Sequence, residues 1–115
     1  MEKIAKTPEP PYYAVIFTSL RAEGNDDAYA RAAERMIELA RSQPGYLGYE
    51  SVRDTNGLGI TVSYWADEAS ISNWKQNTEH LRVQANGRMS WYLRYHTRVC
   101  RVERAYGFER GTGSD

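Results

Sequence analysis

The chain begins polar and proline-broken over residues 1–11, with Pro8, Pro10 and Pro11, and turns apolar at YYAVIFTSL, 12–20. Those nine residues are rich in β-branched and aromatic side chains and apolar on both alternating sets, which predicts a strand covered on both faces. Gly24 and Asn25 break the run. Beyond them Tyr29, Ala32, Ala33, Met36, Ile37 and Ala40 recur at helical spacing up to Pro44-Gly45, which predicts a helix over 26–42 capped by Asn25 or Asp26. YLGYESVRD, 46–54, and ITVSYW, 60–65, then read as two strands joined by TNGLG. Asn56-Gly57 tolerates positive φ, so the pair forms an antiparallel hairpin.

Asp67 can cap a second helix, whose apolar positions Ile71, Trp74, Leu81 and Ala85, with Thr78 between, step by three and four until Asn86-Gly87. WYLRYHTRVCRVERAY, 91–106, alternates as a long last strand, with Leu93, Tyr95, Thr97 and Val99 on one side and Arg94, His96, Arg98 and Cys100 on the other. The predicted order is β-α-β-β-α-β, an α+β, ferredoxin-like antiparallel sheet with both helices on one face. Apolar groups on the other face then require a cover, and a second copy of the sheet is the simplest one. Residues 1–11 are expected to form a flexible lead-in, 12–108 the domain and 109–115 a disordered tail.

At 115 residues the chain holds one domain, and its 15 basic and 15 acidic side chains cancel. No overall field draws it to nucleic acid or to an anionic membrane, so neither is an expected partner. Cys100 is the lone cysteine, which excludes an internal disulfide and a four-cysteine zinc site and fits a reducing compartment. The amino-terminal residues lack the apolar core of a secretion signal, and no run is long enough to span a bilayer. A cytoplasmic protein is expected.

Candidate chemistry concentrates in SYWADEASISNWKQNTEH, 63–80, with Trp65, Trp74 and one of only two histidines. Both tryptophans read as core residues, and Trp74 can also shape a pocket. Asn73, Asn77, His80 and Gln84 share a second face of the predicted helix, away from the Ile71–Leu81 seam. That face is either solvated or a pocket wall of amides with one titratable imidazole. As a wall it could orient a phenol or ketone and take its proton, since an imidazole titrates near neutrality. Tyr49, Tyr92 and Tyr95, with Tyr13, can line such a cavity, and Arg88 can hold an anionic substrate or pair with an acid. The two histidines have no carboxylate at ligand spacing, so no metal site is expected.

PYYAVIFTS, PGYLGYES, GITVSYW, the D-E-A-x-I-x-x-W-K and E-H of the second helix, and GRMSWYLRYHTRVCRVERAYGF together resemble the antibiotic biosynthesis monooxygenase domain, a dimeric α+β barrel family, over about 11–108. Within it the chain is most similar to a bacterial branch with no assigned chemistry. The resemblance implies a homodimer whose sheets form a barrel, with a small-molecule pocket between sheet and helices. Members include cofactor-independent oxygenases of electron-rich aromatics and haem-degrading enzymes. In the latter the tryptophan resembling Trp74 presses on the macrocycle, but the position of the iron-ligating histidine is Gln84 here, and Thr18 replaces an asparagine. Haem chemistry is disfavoured, and no cofactor is expected.

The expected function is therefore O2-dependent monooxygenation of a small aromatic or quinol-like metabolite. His80, Trp74 and Asn77 would be catalytic, and Asn73, Gln84, Thr18, Tyr49, Arg88, Tyr92 and Tyr95 would bind substrate. A dimeric, non-catalytic ligand-binding or stress-related module is the alternative.

Overall fold

A computed structural model describes residues 3–24, 26–84 and 91–111, with side chains at all of these except 78–84. The elements are β1 (Tyr12–Arg21), α1 (Asp26–Arg41), β2 (Tyr46–Arg53), β3 (Leu58–Trp65), α2 (Glu68–Gln84) and β4 (Tyr92–Val102). All strand pairs are antiparallel, in the order β2-β3-β1-β4. The ferredoxin-like β-α-β-β-α-β arrangement is the one the hydrophobic pattern predicts. The expected features at Asn25, Ala85, Asn86-Gly87 and Arg88, and the side chains of Thr78, His80, Leu81 and Gln84, lie outside the described residues.

Local chemistry fixes the element ends. Asp54 Oδ1 accepts the backbone N–H groups of Asn56 at 2.9 Å and Leu58 at 3.0 Å, and Gly57 takes φ 95°. The hairpin therefore closes over residues 54–57, and β3 starts at Leu58, two residues earlier than its apolar run suggests. β4 ends at Val102, which faces Tyr12, the first residue of β1; among the described residues no strand lies alongside beyond it. At the start of α2, Asp67 Oδ1 accepts the backbone N–H and the hydroxyl of Ser70, both at 2.8 Å. These bonds, the backbone one first, hold the Asp67 carboxyl below the usual carboxylate range, as expected of an N-cap acid. Gly45, at φ 85°, lets the chain pass against this cap, because a Cβ there would collide with Ser70 Oγ.

Two register shifts decide which side chains face the helices. One, between Tyr46 and Gly48, puts Tyr46, Tyr49, Ser51 and Arg53 on the same face of β2, opposite Trp65, Ser63, Thr61 and Gly59. The other, between Leu20 and Arg21, pairs Arg94 with Leu20 but Tyr92 with Arg21. Tyr92 and Tyr95, three residues apart, thereby both reach the helical side.

The opposite face carries Ile16, Thr18, Ile60, Val62 and Tyr64, together with His96 and Arg98. Residues from the amino-terminal segment lie against one end of it. Ala5 N–H donates to Glu50 Oε2 at 3.0 Å, the Tyr64 hydroxyl donates to Glu50 Oε1 at 2.6 Å, and Thr7 Oγ1 donates to Tyr12 Oη at 2.9 Å. Burial, then the Glu50 carboxylate, pushes the Tyr64 phenol well above its ordinary range. Farther along, Leu20, Val52, Leu58 and Ile60 are exposed.

Candidate functional site

Between the sheet and both helices lies a cavity of about 410 Å³. That volume suits a small organic molecule. Its floor includes Val15 and Phe17 from β1 and Ser51 and Thr61 from the hairpin, and Met36, Ile37 and Ile71 close it from the helices.

One end is aromatic. Trp65 is fully buried, stacks on Trp74 with ring centroids 6.0 Å apart, and meets Tyr46 edge-on at 5.5 Å. Trp65 Nε1 donates to Ser63 Oγ at 2.9 Å, so its polar atom is satisfied inside the core. Burial raises the Tyr46 phenol pKa, and nearby Arg41 opposes that shift. Trp74 lines the cavity while Trp65 backs it.

The other end is polar and cationic. Arg53 donates from Nη2 to Ser19 Oγ at 2.8 Å and to Tyr29 Oη at 3.1 Å, and from Nη1 to the backbone oxygens of Ser19 and Gly57. Gly59 leaves room for this guanidinium, which a Cβ there would meet head-on. The Tyr29 ring packs edge-on against Trp91 and Tyr92, and the Arg21 guanidinium sits 3.9 Å from its centroid. Arg21 is itself tied to Asp26 at 2.9 Å and to the Trp91 carbonyl at 2.8 Å.

Four of the predicted site residues, Trp74, Tyr49, Tyr92 and Tyr95, meet in this cavity. Asn73 and Asn77 are exposed on α2 and are not part of its wall. Thr18 lies on the other face of the sheet, between Ile60 and His96, because it alternates with Phe17, which faces the helices. Tyr13 is likewise absent from the lining. The side chains of His80 and Gln84, and all of Arg88, lie outside the described residues. Sequence reasoning missed Arg53, Tyr29, Phe17 and Trp91 as cavity residues. Arg53 is the terminal residue of a strand whose phase changes at Gly48, and Tyr29 read only as one apolar position of a helix.

The signature of the antibiotic biosynthesis monooxygenase family matches residues 11–86, about two thirds of the chain and the part that builds the floor and both helical walls. The chain belongs to the antibiotic biosynthesis monooxygenase family. It is 51% identical over 112 residues to the uncharacterised protein YqjZ of Bacillus subtilis, covering 97% of each chain. It is also 28% identical over 94 residues to the jasmonate monooxygenase ABM of Pyricularia oryzae, covering 78% of this chain and 43% of that one. SnoaB, a cofactor-independent oxygenase from Streptomyces nogalater, shares the fold with a TM-score of 0.67 at 9% identity, covering 84% of this chain and 97% of that one. For an antibiotic biosynthesis monooxygenase domain, the aromatic cavity on the helical face of the sheet is the candidate site. No helix among the described residues is long and apolar enough to cross a membrane.

Proposed function

We propose that the chain is a cofactor-independent, O2-dependent monooxygenase of a small aromatic or quinol-like metabolite, working as a cytoplasmic homodimer. The aromatic cavity carries this reading: its lining includes Trp74, Tyr49, Tyr92, Tyr95 and Phe17, and its volume lies within the range of small-molecule sites. A relative named as a monooxygenase and a structural neighbour named as a cofactor-independent oxygenase support the reaction class.

The chemistry needs no external electron donor when the substrate is an activated methylene. Loss of a proton gives an enolate or phenolate that is rich enough in electrons to reduce O2. A CH2 group becomes C=O, one oxygen atom is retained, and the other leaves as water with the two hydrogens from carbon. That four-electron oxidation matches the four-electron reduction of O2.

His80, six residues beyond Trp74 in the same helix, is the proposed proton acceptor. Its removal to Ala is expected to lower kcat by about 10²-fold or more, the usual weight of general-base catalysis. Turnover that survives His80→Ala unchanged would remove the base from the proposal. Trp74→Ala should mainly raise KM, because it opens the wall without touching the proton transfer.

The dimer is supported by the exposed apolar side chains on the far face of the sheet and by the residues beyond β4. Tyr106 and Phe108 are 96% and 82% exposed there. The radius of gyration, 15.5 Å, exceeds the roughly 13 Å of a compact chain of this length. A second copy of the chain would cover both features. The cytoplasmic placement rests on the single cysteine and would be overturned by recovery of the protein outside the cell membrane.

A further inference from the structure

The cationic end of the cavity contains groups that the proposed oxidation has not used. Arg53 lines the cavity and has no ion pair among the described residues. Among the described residues of the lining there is no Asp or Glu. Near Tyr29 stand two guanidinium groups, of which only that of Arg21 has a carboxylate, Asp26. At this end of a mainly apolar cavity the half-buried Arg53 guanidinium is therefore balanced by no carboxylate among the described residues, an arrangement that favours a bound anion.

Hydrogen-bond capacity identifies the atom that would receive that anion. The four terminal N–H bonds of Arg53 are matched by four acceptors: Ser19 O, Gly57 O, Ser19 Oγ and Tyr29 Oη. Arg53 is thus committed to the protein and does not grip a ligand through its fork. The Tyr29 hydroxyl accepts from Arg53 at 3.1 Å and from the Tyr92 hydroxyl at 3.4 Å. A phenol offers two acceptor positions and one donor, so both acceptor positions are engaged and the O–H remains for a third partner. Among the described residues it has no acceptor, and Tyr29 is part of the cavity wall.

We infer that the cavity takes its ligand as an oxyanion, an aromatic carboxylate, phenolate or enolate, with Tyr29 as the donor to the anionic oxygen and Arg53 as the residue that positions and polarises it. The inference rests on the cavity being the ligand site, and it names the substrate class of the proposed monooxygenase. It gives the enolate or phenolate formed during oxidation a fixed donor, as oxyanion stabilisation requires. It also separates the cavity into a cationic end for the oxyanion and a Trp74 end for the hydrocarbon rings.

The test is binding rather than turnover, carried out without oxygen so that it is independent of the oxidation reading. Quenching of tryptophan fluorescence is titrated with 1-naphthoate and with its neutral isostere 1-naphthamide. A second series uses 2-naphthol at pH values on either side of its own ionisation. The wild-type protein is expected to prefer naphthoate to naphthamide by at least about tenfold, and naphtholate to naphthol similarly, the range of one charge-assisted hydrogen bond.

Tyr29→Phe keeps the ring packing and is expected to cut both preferences to threefold or less. If that variant does not fold, Arg53→Lys replaces it: it retains one positive charge, loses the fork that backs Tyr29, and should cut the same preferences. A preference for the carboxylate alone or for the phenolate alone would still support the oxyanion site and would say which source it selects. Equal wild-type affinity for anionic and neutral probes, or a preference unchanged in a folded variant, would overturn the inference. Neither result depends on whether the protein consumes oxygen.

Discussion

Trp65→Ala should destabilise the protein by about 3–5 kcal/mol, the cost of emptying a large aromatic site in a close-packed core. Trp65 has no exposed surface, backs Trp74 at 6.0 Å and Tyr46 at 5.5 Å, and ties its indole N–H to Ser63. Few other side chains here are so enclosed, so little neighbouring material can collapse into the vacancy. Against a typical total of about 5–15 kcal/mol, that loss leaves the fold marginal. Trp65→Phe separates the contributions: it retains most of the ring packing, loses the hydrogen bond to Ser63, and should cost about half as much or less. Urea denaturation of the three proteins checks the order. A loss below about 1 kcal/mol for Trp65→Ala would mean that the Trp65–Trp74–Tyr46 cluster is not the core of this end of the molecule.

Ile60→Asp should convert the proposed dimer to a monomer, with association weakened at least about 100-fold, since an unpaired carboxylate buried at an interface costs several kcal/mol. Ile60 lies between Val52 and Thr18 on the face away from the helices, and Leu58 beside it faces Leu20. The four exposed apolar side chains thus form one patch across three strands. A two-fold axis through such a patch brings it against itself, which makes a single charge act twice. Light scattering at micromolar concentration should give twice the 13.2 kDa chain mass for the wild-type protein and the chain mass for the variant. A wild-type protein of 13.2 kDa would end the dimer proposal. The cavity lies on the opposite face, so Ile60→Asp tests assembly without altering its lining.

The elements were legible because each rests on local signals. The Asn56-Gly57 turn and the Asp67 cap each specify a boundary through a side chain or a dihedral angle, and the structure has both. Trp74 was legible as both core and wall because it belongs to the apolar stripe of its helix, and it stacks on a strand residue. The cationic end was not legible, since it depends on two interruptions of strand alternation. A strict period of two from Tyr46 puts Arg53 on the far side of the sheet, whereas the bulge before Gly48 returns it to the helices. The same parity rule, applied without interruption in the middle of β1, puts Thr18 opposite to Phe17, away from the cavity. The Asn73 and Asn77 stripe follows helical geometry as expected, and both residues are exposed. Periodicity shows which residues share a face but not which face is a pocket.

Oxygen chemistry inside this cavity is the central claim, and dissolved-oxygen uptake by the purified, metal-free protein tests it most directly. The substrates are a panel of hydroquinones, naphthols and anthrones, with Trp74→Ala and His80→Ala alongside. The account predicts uptake that scales with protein concentration, one O2 consumed per anthrone methylene oxidised to carbonyl, and a rate at subsaturating substrate that falls in both variants. Ligand-induced stabilisation with no protein-dependent uptake across the panel would contradict it and leave a binding module in its place.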